Sequence, residues 1–153
     1  MKPSKVLFVC TGNTCRSVMA ELILKKKSEE LNWPVEVRSA GIAADPRNRI
    51  PYVLTEILDS SSMEWRDHQP LPVGAELMKW ADIVLVMSAP QKEFIEKLFP
   101  GESNKVRLIK ELAGSAGDVR DPIGQEKEVY EAVFEELRIL IDRIVEKWGA
   151  DDV

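Results

Sequence analysis

The segment Lys5-Val-Leu-Phe-Val-Cys10-Thr-Gly-Asn-Thr-Cys-Arg16-Ser17 predicts a buried strand, a short loop and the first turn of a helix. The continuous apolar run Lys5–Cys10 is typical of a strand that is buried on both faces of a parallel sheet. From Cys15 to Leu31 the inward-facing apolar residues recur at helical spacing. A strand followed by a helix begins a βαβ unit, and in sheets built from such units ligands bind beyond the C-terminal ends of the strands. The loop after Cys10 is therefore the first candidate for a ligand site.

The alternation of apolar strands and amphipathic helices continues to the C-terminus. Further strands are predicted at Val35–Ala40, Ala81–Met87 and Val106–Ile109, and further helices at Pro51–Leu58, Leu71–Trp80 (with Pro72 in its first turn), Pro90–Phe99 (capped by Ser88) and about Glu126–Trp148. This pattern predicts an α/β fold, a small doubly wound three-layer sandwich with a four-stranded parallel sheet and helices on both faces. No internal repeat and no long linker interrupts it, so we expect a single domain over residues 1–153.

Composition excludes several classes of function. The chain has 153 residues, 44% of them hydrophobic, and its net charge of −5 opposes a general electrostatic grip on nucleic acid or on an anionic membrane. No apolar run approaches the roughly 18 to 20 residues of a membrane-spanning helix. Two cysteines without a secretory signal indicate the cytoplasm. One histidine and two cysteines do not supply an ordinary zinc site, although a carboxylate magnesium site stays open.

The loop after the first strand has the features of an anion site. A loop that enters a helix presents unpaired backbone N–H groups and the positive end of the helix dipole. Gly12 relaxes the backbone, so the amides of Thr11 to Arg16 are able to converge on one anion, and the Arg16 guanidinium can hold two phosphate oxygens. A thiolate at Cys10 is stabilised by the same groups, and Ser17 is close enough in sequence to donate a hydrogen bond to the sulfur. The alternative for Cys10 is a small buried hydrophobe at a strand end.

A second candidate group precedes the last helix, in Asp121-Pro-Ile-Gly124. A group leaving phosphorus at neutral pH needs a proton, and a carboxylic acid beside the anion loop can supply it. The proline holds Asp121 extended, which suits a projecting side chain. Taken alone, the segment is typical of an Asp-Pro turn. Beside the Cys10 loop, it favours a general acid.

These segments resemble those of the low-molecular-weight protein tyrosine phosphatase family, and the resemblance extends over nearly the whole chain. The matching pieces are the loop Cys10–Ser17 with Met-Ala-Glu21 after it, Ser39-Ala-Gly41, Ala81-Asp82 and Asp121-Pro122. The resemblance implies that Cys10 attacks phosphorus to form a phosphocysteine, that Arg16 clamps the equatorial oxygens, and that Asp121 protonates the leaving group and then activates water.

The resemblance also implies the rest of the site. It implies that Asn13 braces the loop and that Cys15 is able to form a reversible disulfide with Cys10 under oxidation. The substrate-binding residues are then Thr11, Gly12, Asn13, Thr14, Cys15 and Ser17. The reaction takes no metal and no cofactor, its substrates are phosphorylated proteins, and its product is inorganic phosphate.

The substrate pocket departs from the tyrosine-specific pattern of that family. Thr14 replaces a residue that is usually apolar, and neither Ala43-Ala-Asp-Pro46 nor Asp121-Pro-Ile-Gly124 contains an aromatic residue, so a phenyl ring loses stacking partners. A hydroxyl suits a polar, planar phosphorylated guanidinium. The loop resembles that of the bacterial protein-arginine phosphatase branch. This resemblance favours phosphoarginine as the substrate, with phosphotyrosine as the alternative. Asp118 is either a second acidic contact or a solvated loop carboxylate.

Two other functions remain alternatives. Thiol-dependent arsenate reductases share this fold and loop, but they resolve their intermediate with further cysteines outside the loop, and this chain has only Cys10 and Cys15. A non-catalytic anion-binding module predicts that Cys10→Ala leaves the biological activity intact. His68, the only histidine, lies in a polar stretch and is interpreted as a structural hydrogen-bonding residue.

Overall fold

Four parallel strands form the central sheet of the computed structural model, which describes residues 2–151, so that the ends of the predicted 1–153 domain lie outside it. The strands are β1 (Lys5–Cys10), β2 (Glu36–Gly41), β3 (Ile83–Val86) and β4 (Val106–Leu108), in the order β2-β1-β3-β4. The chain crosses over between β1 and β3, and a doubly wound sheet opens its ligand crevice at such a switch point. The predicted parallel sheet is confirmed.

Helices cover both faces of this sheet, as the sequence predicts. They are α1 (Arg16–Glu30), α2 (Tyr52–Ser60), α3 (Ala75–Trp80), α4 (Ala89–Leu98), α5 (Ile109–Leu112) and α6 (Lys127–Asp151), with a 3₁₀ helix at Pro100–Lys105. Alternate β1 side chains point to opposite faces. Val6 and Phe8 pack with α1, α2 and α6, whereas Leu7 and Val9 pack with α3 and α4. Among residues 2–151, no helix combines the length and the apolar character needed to cross a bilayer.

The largest difference from the predicted elements lies at Leu71–Gly74. The sequence predicts a helix from Leu71, but α3 begins at Ala75, because the preceding residues extend the edge of the sheet beside Gly41. The Gly41 N–H donates to the Leu71 carbonyl, and the Val73 N–H donates to the Gly41 carbonyl, both at 2.9 Å. Ile109 opens the short helix α5 instead of ending a strand, and the last helix runs three residues further than predicted. The other predicted ends are within two residues of the structure.

Candidate active site

The loop Cys10–Ser17, hereafter the cysteine loop, lies at the C-terminal end of β1 and leads into α1. The Cys10 sulfur is 2.9 Å from the Ser17 hydroxyl, and both side chains are buried. The Asn13 amide nitrogen donates to the same hydroxyl oxygen at 2.8 Å. Since that oxygen already accepts from Asn13, its own proton is available to the sulfur. The contact between Ser17 and Cys10 that the sequence predicts is therefore present, and the Ser17 hydroxyl is able to donate to a thiolate there.

Asn13 holds the cysteine loop to three other segments of the chain. Its backbone is left-handed, with φ 55°, and its side chain is fully buried. The amide nitrogen also donates to Ser39 Oγ at 2.9 Å, while the amide oxygen accepts the Leu71 N–H at 3.0 Å. His68 Nε2 donates to the Asn13 carbonyl at 2.7 Å. Because every polar group of Asn13 that points inward has a partner, the loop has one defined shape.

Gly41 lets the end of β2 approach the cysteine loop. A Cβ at this position would lie 2.6 Å from the Thr11 carbonyl oxygen and 3.0 Å from the Asn13 nitrogen, both backbone atoms. The next residues continue the contact, since the Ala43 N–H donates to the Thr11 carbonyl at 2.9 Å. Steric contact with backbone explains why the motif Ser39-Ala-Gly41 ends in glycine.

Arg16 connects the cysteine loop to the loop Asp118–Gly124, hereafter the acid loop. Arg16 is 7% exposed; its guanidinium donates from Nη1 to the Val119 carbonyl at 3.0 Å and places Nη2 3.7 Å from Asp121 Oδ2. The Asp121 side chain is 51% exposed, and its Oδ1 accepts the Ile123 N–H at 3.1 Å. The residues that the sequence singles out at positions 10–17 and 121 are therefore brought to one place at the end of the sheet.

The second cysteine of the loop lies in a different environment from the first. Burial raises the pKa of the Cys15 thiol far above its ordinary range, and the neighbouring Cys10 and Asp121 raise it further against the opposing effect of Arg16. Burial likewise raises the pKa of Tyr130, on α6, with Cys15 and Asp121 adding to the rise. Both groups therefore keep their protons at neutral pH.

Gln91 is a part of the site that the sequence reasoning missed. Its side chain is 3% exposed, and its amide nitrogen donates to Thr11 Oγ1 at 3.1 Å, while its amide oxygen accepts the N–H groups of Met87 and Ser88. Glutamine three residues after a serine cap is a recognisable capping box, but that pattern does not predict the contact with Thr11. Within residues 2–151, no three His, Cys, Asp or Glu side chains converge as metal ligands would.

The structure gives the contacts of two other polar residues that the sequence analysis interprets. His68 is a hydrogen-bonding residue, as interpreted from the sequence, and its partner is the cysteine loop itself. Asp118 is neither free nor fully solvated, because its Oδ1 accepts the Ala89 N–H at 2.9 Å at the start of α4.

Comparison with known proteins matches the chain to one family over almost its whole length. The family model described as low molecular weight phosphotyrosine protein phosphatase matches residues 5–151. A protein-arginine-phosphatase of Geobacillus stearothermophilus is 38% identical over 146 residues, covering 95% of this chain and 96% of the relative. The low molecular weight protein-tyrosine-phosphatase PtpB of Staphylococcus aureus is 38% identical over 137 residues, covering 90% of this chain and 94% of PtpB.

A solved structure adds similarity in three dimensions. The YwlE arginine phosphatase, in a cysteine-to-serine variant that carries a phosphorylated active site serine, superposes with a TM-score of 0.91. It is 36% identical, and the match covers 96% of this chain and 97% of that one. The strand order and the helices on both faces are thus those of a known group of enzymes.

Proposed function

Because this chain belongs to the low molecular weight phosphotyrosine protein phosphatase family, we propose that it hydrolyses phosphoarginine on proteins, with Cys10 as nucleophile. The observation that carries this proposal is the hydrogen bond between Cys10 Sγ and Ser17 Oγ, in a loop that leads into the N-terminus of α1 and contains Arg16. We expect the backbone N–H groups of such a loop to bind an anion. A thiolate that receives a hydrogen bond beside an oxyanion site is the arrangement that phosphoryl transfer requires.

The reaction has two steps. In the first, the Cys10 sulfur attacks phosphorus while the N–H groups of Thr11 to Arg16 and the Arg16 guanidinium hold the other oxygens. The bond from phosphorus to the guanidinium nitrogen breaks, and Asp121 gives its proton to that nitrogen. In the second, the Asp121 carboxylate takes a proton from water, the water oxygen attacks phosphorus, and the sulfur–phosphorus bond breaks. The products are arginine on the protein, inorganic phosphate and free Cys10.

The remaining residues of the cysteine loop bind the phosphoryl group and keep the loop in shape. Gly12, Asn13, Thr14 and Cys15 contribute backbone, and Ser17 stabilises the sulfur when it attacks and when it leaves. The left-handed backbone and four hydrogen bonds of Asn13 support a loop that is organised before substrate binds. A preorganised loop costs no rearrangement in the transition state.

The preference for phosphoarginine rests on Thr14 and on the loops around it. Thr14 is half-buried in the cysteine loop, where its hydroxyl suits a polar, planar guanidinium. The acid loop presents Ile123, 48% exposed, in place of an aromatic side chain. A phenyl ring would therefore lack a stacking partner from either of the segments 43–46 and 121–124.

Phosphotyrosine is the second candidate substrate, because the PtpB relative named as a tyrosine phosphatase is as similar over most of the chain. Matched peptides that carry phosphoarginine or phosphotyrosine at the same position decide between them. We expect kcat/KM to be at least about tenfold higher for phosphoarginine, since the Thr14 hydroxyl suits a polar leaving group and the surrounding segments offer no aromatic side chain to a phenyl ring. A higher kcat/KM for phosphotyrosine would reverse the assignment.

Partners and location complete the proposal. The partners are phosphorylated proteins, and the net charge of −5 opposes binding to nucleic acid or to an anionic membrane surface. The reaction needs no metal and no cofactor. Its nucleophile has to stay a reduced thiol, and this supports a location in the cytoplasm, where thiols are kept reduced.

A further inference from the structure

The acid loop is fastened to the turn between β3 and α4. This turn, Met87–Gln91, is hereafter the β3–α4 corner. The Val119 N–H donates to the Met87 carbonyl at 2.8 Å, and the Ala89 N–H donates to the Asp118 carboxylate at 2.9 Å. Asp118 is thus the side chain of the acid loop that reaches the corner.

The β3–α4 corner is in turn fixed to the cysteine loop. Gln91 is buried and accepts two backbone N–H groups of the corner with its amide oxygen. Its amide nitrogen donates to Thr11 Oγ1 at 3.1 Å. Since each polar atom of this buried side chain has a partner, the corner has a defined position relative to the cysteine loop. A contact between the acid loop and the corner therefore also sets the position of the acid loop relative to Cys10.

The chain before Asp118 leaves α5 with hydrogen bonds from the Gly114 and Ser115 N–H groups to the Glu111 and Lys110 carbonyls, and the residues after them are exposed. Gly114 and Gly117 have φ angles of 86° and 99°, and the residues from Gly114 to Asp118 are exposed. The first bonds from the chain to the corner after these glycines are those of Asp118 and Val119. Asp121 follows three residues later, and its own side chain is half exposed, so packing does not hold it. The Asp121 carboxyl accepts the Ile123 N–H within the acid loop and lies 3.7 Å from Arg16 Nη2. Its position therefore depends on how the backbone of the acid loop is anchored, which Asp118 does at the corner and Val119 does at both the corner and Arg16.

We propose that Asp118 is a positioning residue, which keeps the acid loop on the β3–α4 corner so that Asp121 meets the leaving group. This role rests on the proposed function, in which Asp121 is the proton donor. It requires Asp118 to accept a hydrogen bond from Ala89 and does not require its negative charge. Asparagine, whose amide oxygen is an acceptor in the same place, should replace it, whereas alanine should not.

Hydrolysis of two aryl phosphates tests this role. Phenyl phosphate needs a proton on its leaving group, whereas p-nitrophenyl phosphate hardly does. In Asp118→Ala, we expect kcat/KM for phenyl phosphate to fall about tenfold more than kcat/KM for p-nitrophenyl phosphate, because a small misplacement of an acid costs this much. Asp118→Asn should restore the ratio of the two values. Glu93→Ala removes an exposed carboxylate of α4 that pairs with Lys97, and it serves as the matched control with the wild-type ratio.

A second variant and a stability measurement separate a loss of positioning from a loss of the fold. Asp118→Ser has a shorter side chain that does not reach Ala89 in the same way, and thermal unfolding identifies which variants are folded. A wild-type ratio in Asp118→Ala and Asp118→Ser, or an equal loss on both esters, would overturn the positioning role.

The alternative role, a charge contact with the substrate guanidinium, has its own signature. It predicts that Asp118→Asn and Asp118→Ala both raise KM for a phosphoarginine peptide while both keep the wild-type ratio for the two aryl phosphates. A wild-type ratio in Asp118→Ala would overturn the positioning role. If the wild-type protein hydrolyses aryl phosphates but no phosphoarginine peptide, the proposed substrate fails while the ratio of the two aryl phosphates still measures the role of Asp118.

Discussion

Two cysteines five residues apart in one loop are equally buried in the same apolar cluster but differ in their polar contacts. The Cys10 sulfur lies against the Ser17 hydroxyl at the end of β1. Cys15 lies in the apolar core, with burial and nearby Cys10 and Asp121 opposing its ionisation. Because a thiol reacts as its thiolate, we expect Cys15 to be unreactive and Cys10 to be the reactive cysteine of the loop.

Alkylation should separate these two cysteines. Iodoacetamide at neutral pH is expected to modify Cys10 in the folded protein and to leave Cys15 unmodified, because the raised pKa keeps the Cys15 thiol protonated until far into the alkaline range. Peptide mass mapping gives the site of modification. Inorganic phosphate should protect Cys10, and denaturant should expose both residues. Faster modification of Cys15 than of Cys10 in the folded protein would contradict this assignment.

Removal of the proton donor should affect substrates according to their leaving groups. Asp121→Ala is expected to lower kcat/KM about 10²- to 10⁴-fold for phosphoarginine peptides, since general acid catalysis contributes this much. For p-nitrophenyl phosphate, whose leaving group needs no proton, kcat/KM should change by less than about tenfold. Steady-state kinetics on both substrates measures the difference. An equal loss on both would argue against a proton-donor role for Asp121.

The hydroxyl of Thr14 should set the substrate preference. Thr14→Ile keeps the branched shape but removes the hydroxyl, so we expect the ratio of kcat/KM for phosphoarginine over phosphotyrosine to fall by about 10-fold or more. Competition between the two peptides in one assay gives this ratio without error from enzyme concentration. Thr14→Ser, which keeps the hydroxyl, is the matched control. An unchanged ratio in Thr14→Ile would remove Thr14 from the specificity argument.

At the scale of elements, the site depends on the close approach of β2 to the cysteine loop. Gly41→Ala would place a methyl group 2.6 Å from the Thr11 carbonyl oxygen, and backbone on both sides has to move. Overpacking of this kind costs about 1–3 kcal/mol of stability.

The same displacement should also weaken phosphate binding. We expect the inhibition constant of inorganic phosphate to rise at least about tenfold in Gly41→Ala, since the misplaced amides belong to Thr11 and Asn13. Gly101→Ala, at a glycine with open space around its Cα, is the control for both measurements. Unchanged phosphate inhibition in a folded Gly41→Ala protein would contradict the importance of this contact.

Sequence periodicity predicts the elements well where a face is buried, and less well where backbone pairing decides. The apolar runs at β1 and β3 and the 3.6-residue spacing in α6 make those elements predictable. Leu71–Gly74 is different, because a proline near the start of the segment is as compatible with the first turn of a helix as with the extended backbone that the structure has. Its hydrogen bonds to Gly41 come from a strand thirty residues earlier, and no local pattern encodes them.

At the scale of the whole molecule, the site is assembled from segments that are far apart in the chain. The cysteine loop and the acid loop are predictable because each has its own local motif. The contacts that hold the cysteine loop in place are not predictable, since Asn13 contacts Ser39 and His68, and Gln91 contacts Thr11, across 26 to 80 residues. The strand order β2-β1-β3-β4 brings these segments to one end of the sheet. The order of the strands thus brings together segments whose contacts a local sequence motif does not predict.

A covalent phosphocysteine is the species on which the whole mechanism depends, and peptide mass spectrometry can detect it. Asp121→Ala should form this species from p-nitrophenyl phosphate and then hydrolyse it slowly, because the first step needs no proton whereas the second needs the Asp121 base. Denaturing the protein during turnover should leave one phosphoryl group on the peptide that contains Cys10. Cys10→Ala should carry none and should lose about 10⁴-fold or more of its turnover. Phosphate found on another residue, or turnover that persists in Cys10→Ala, would contradict the mechanism.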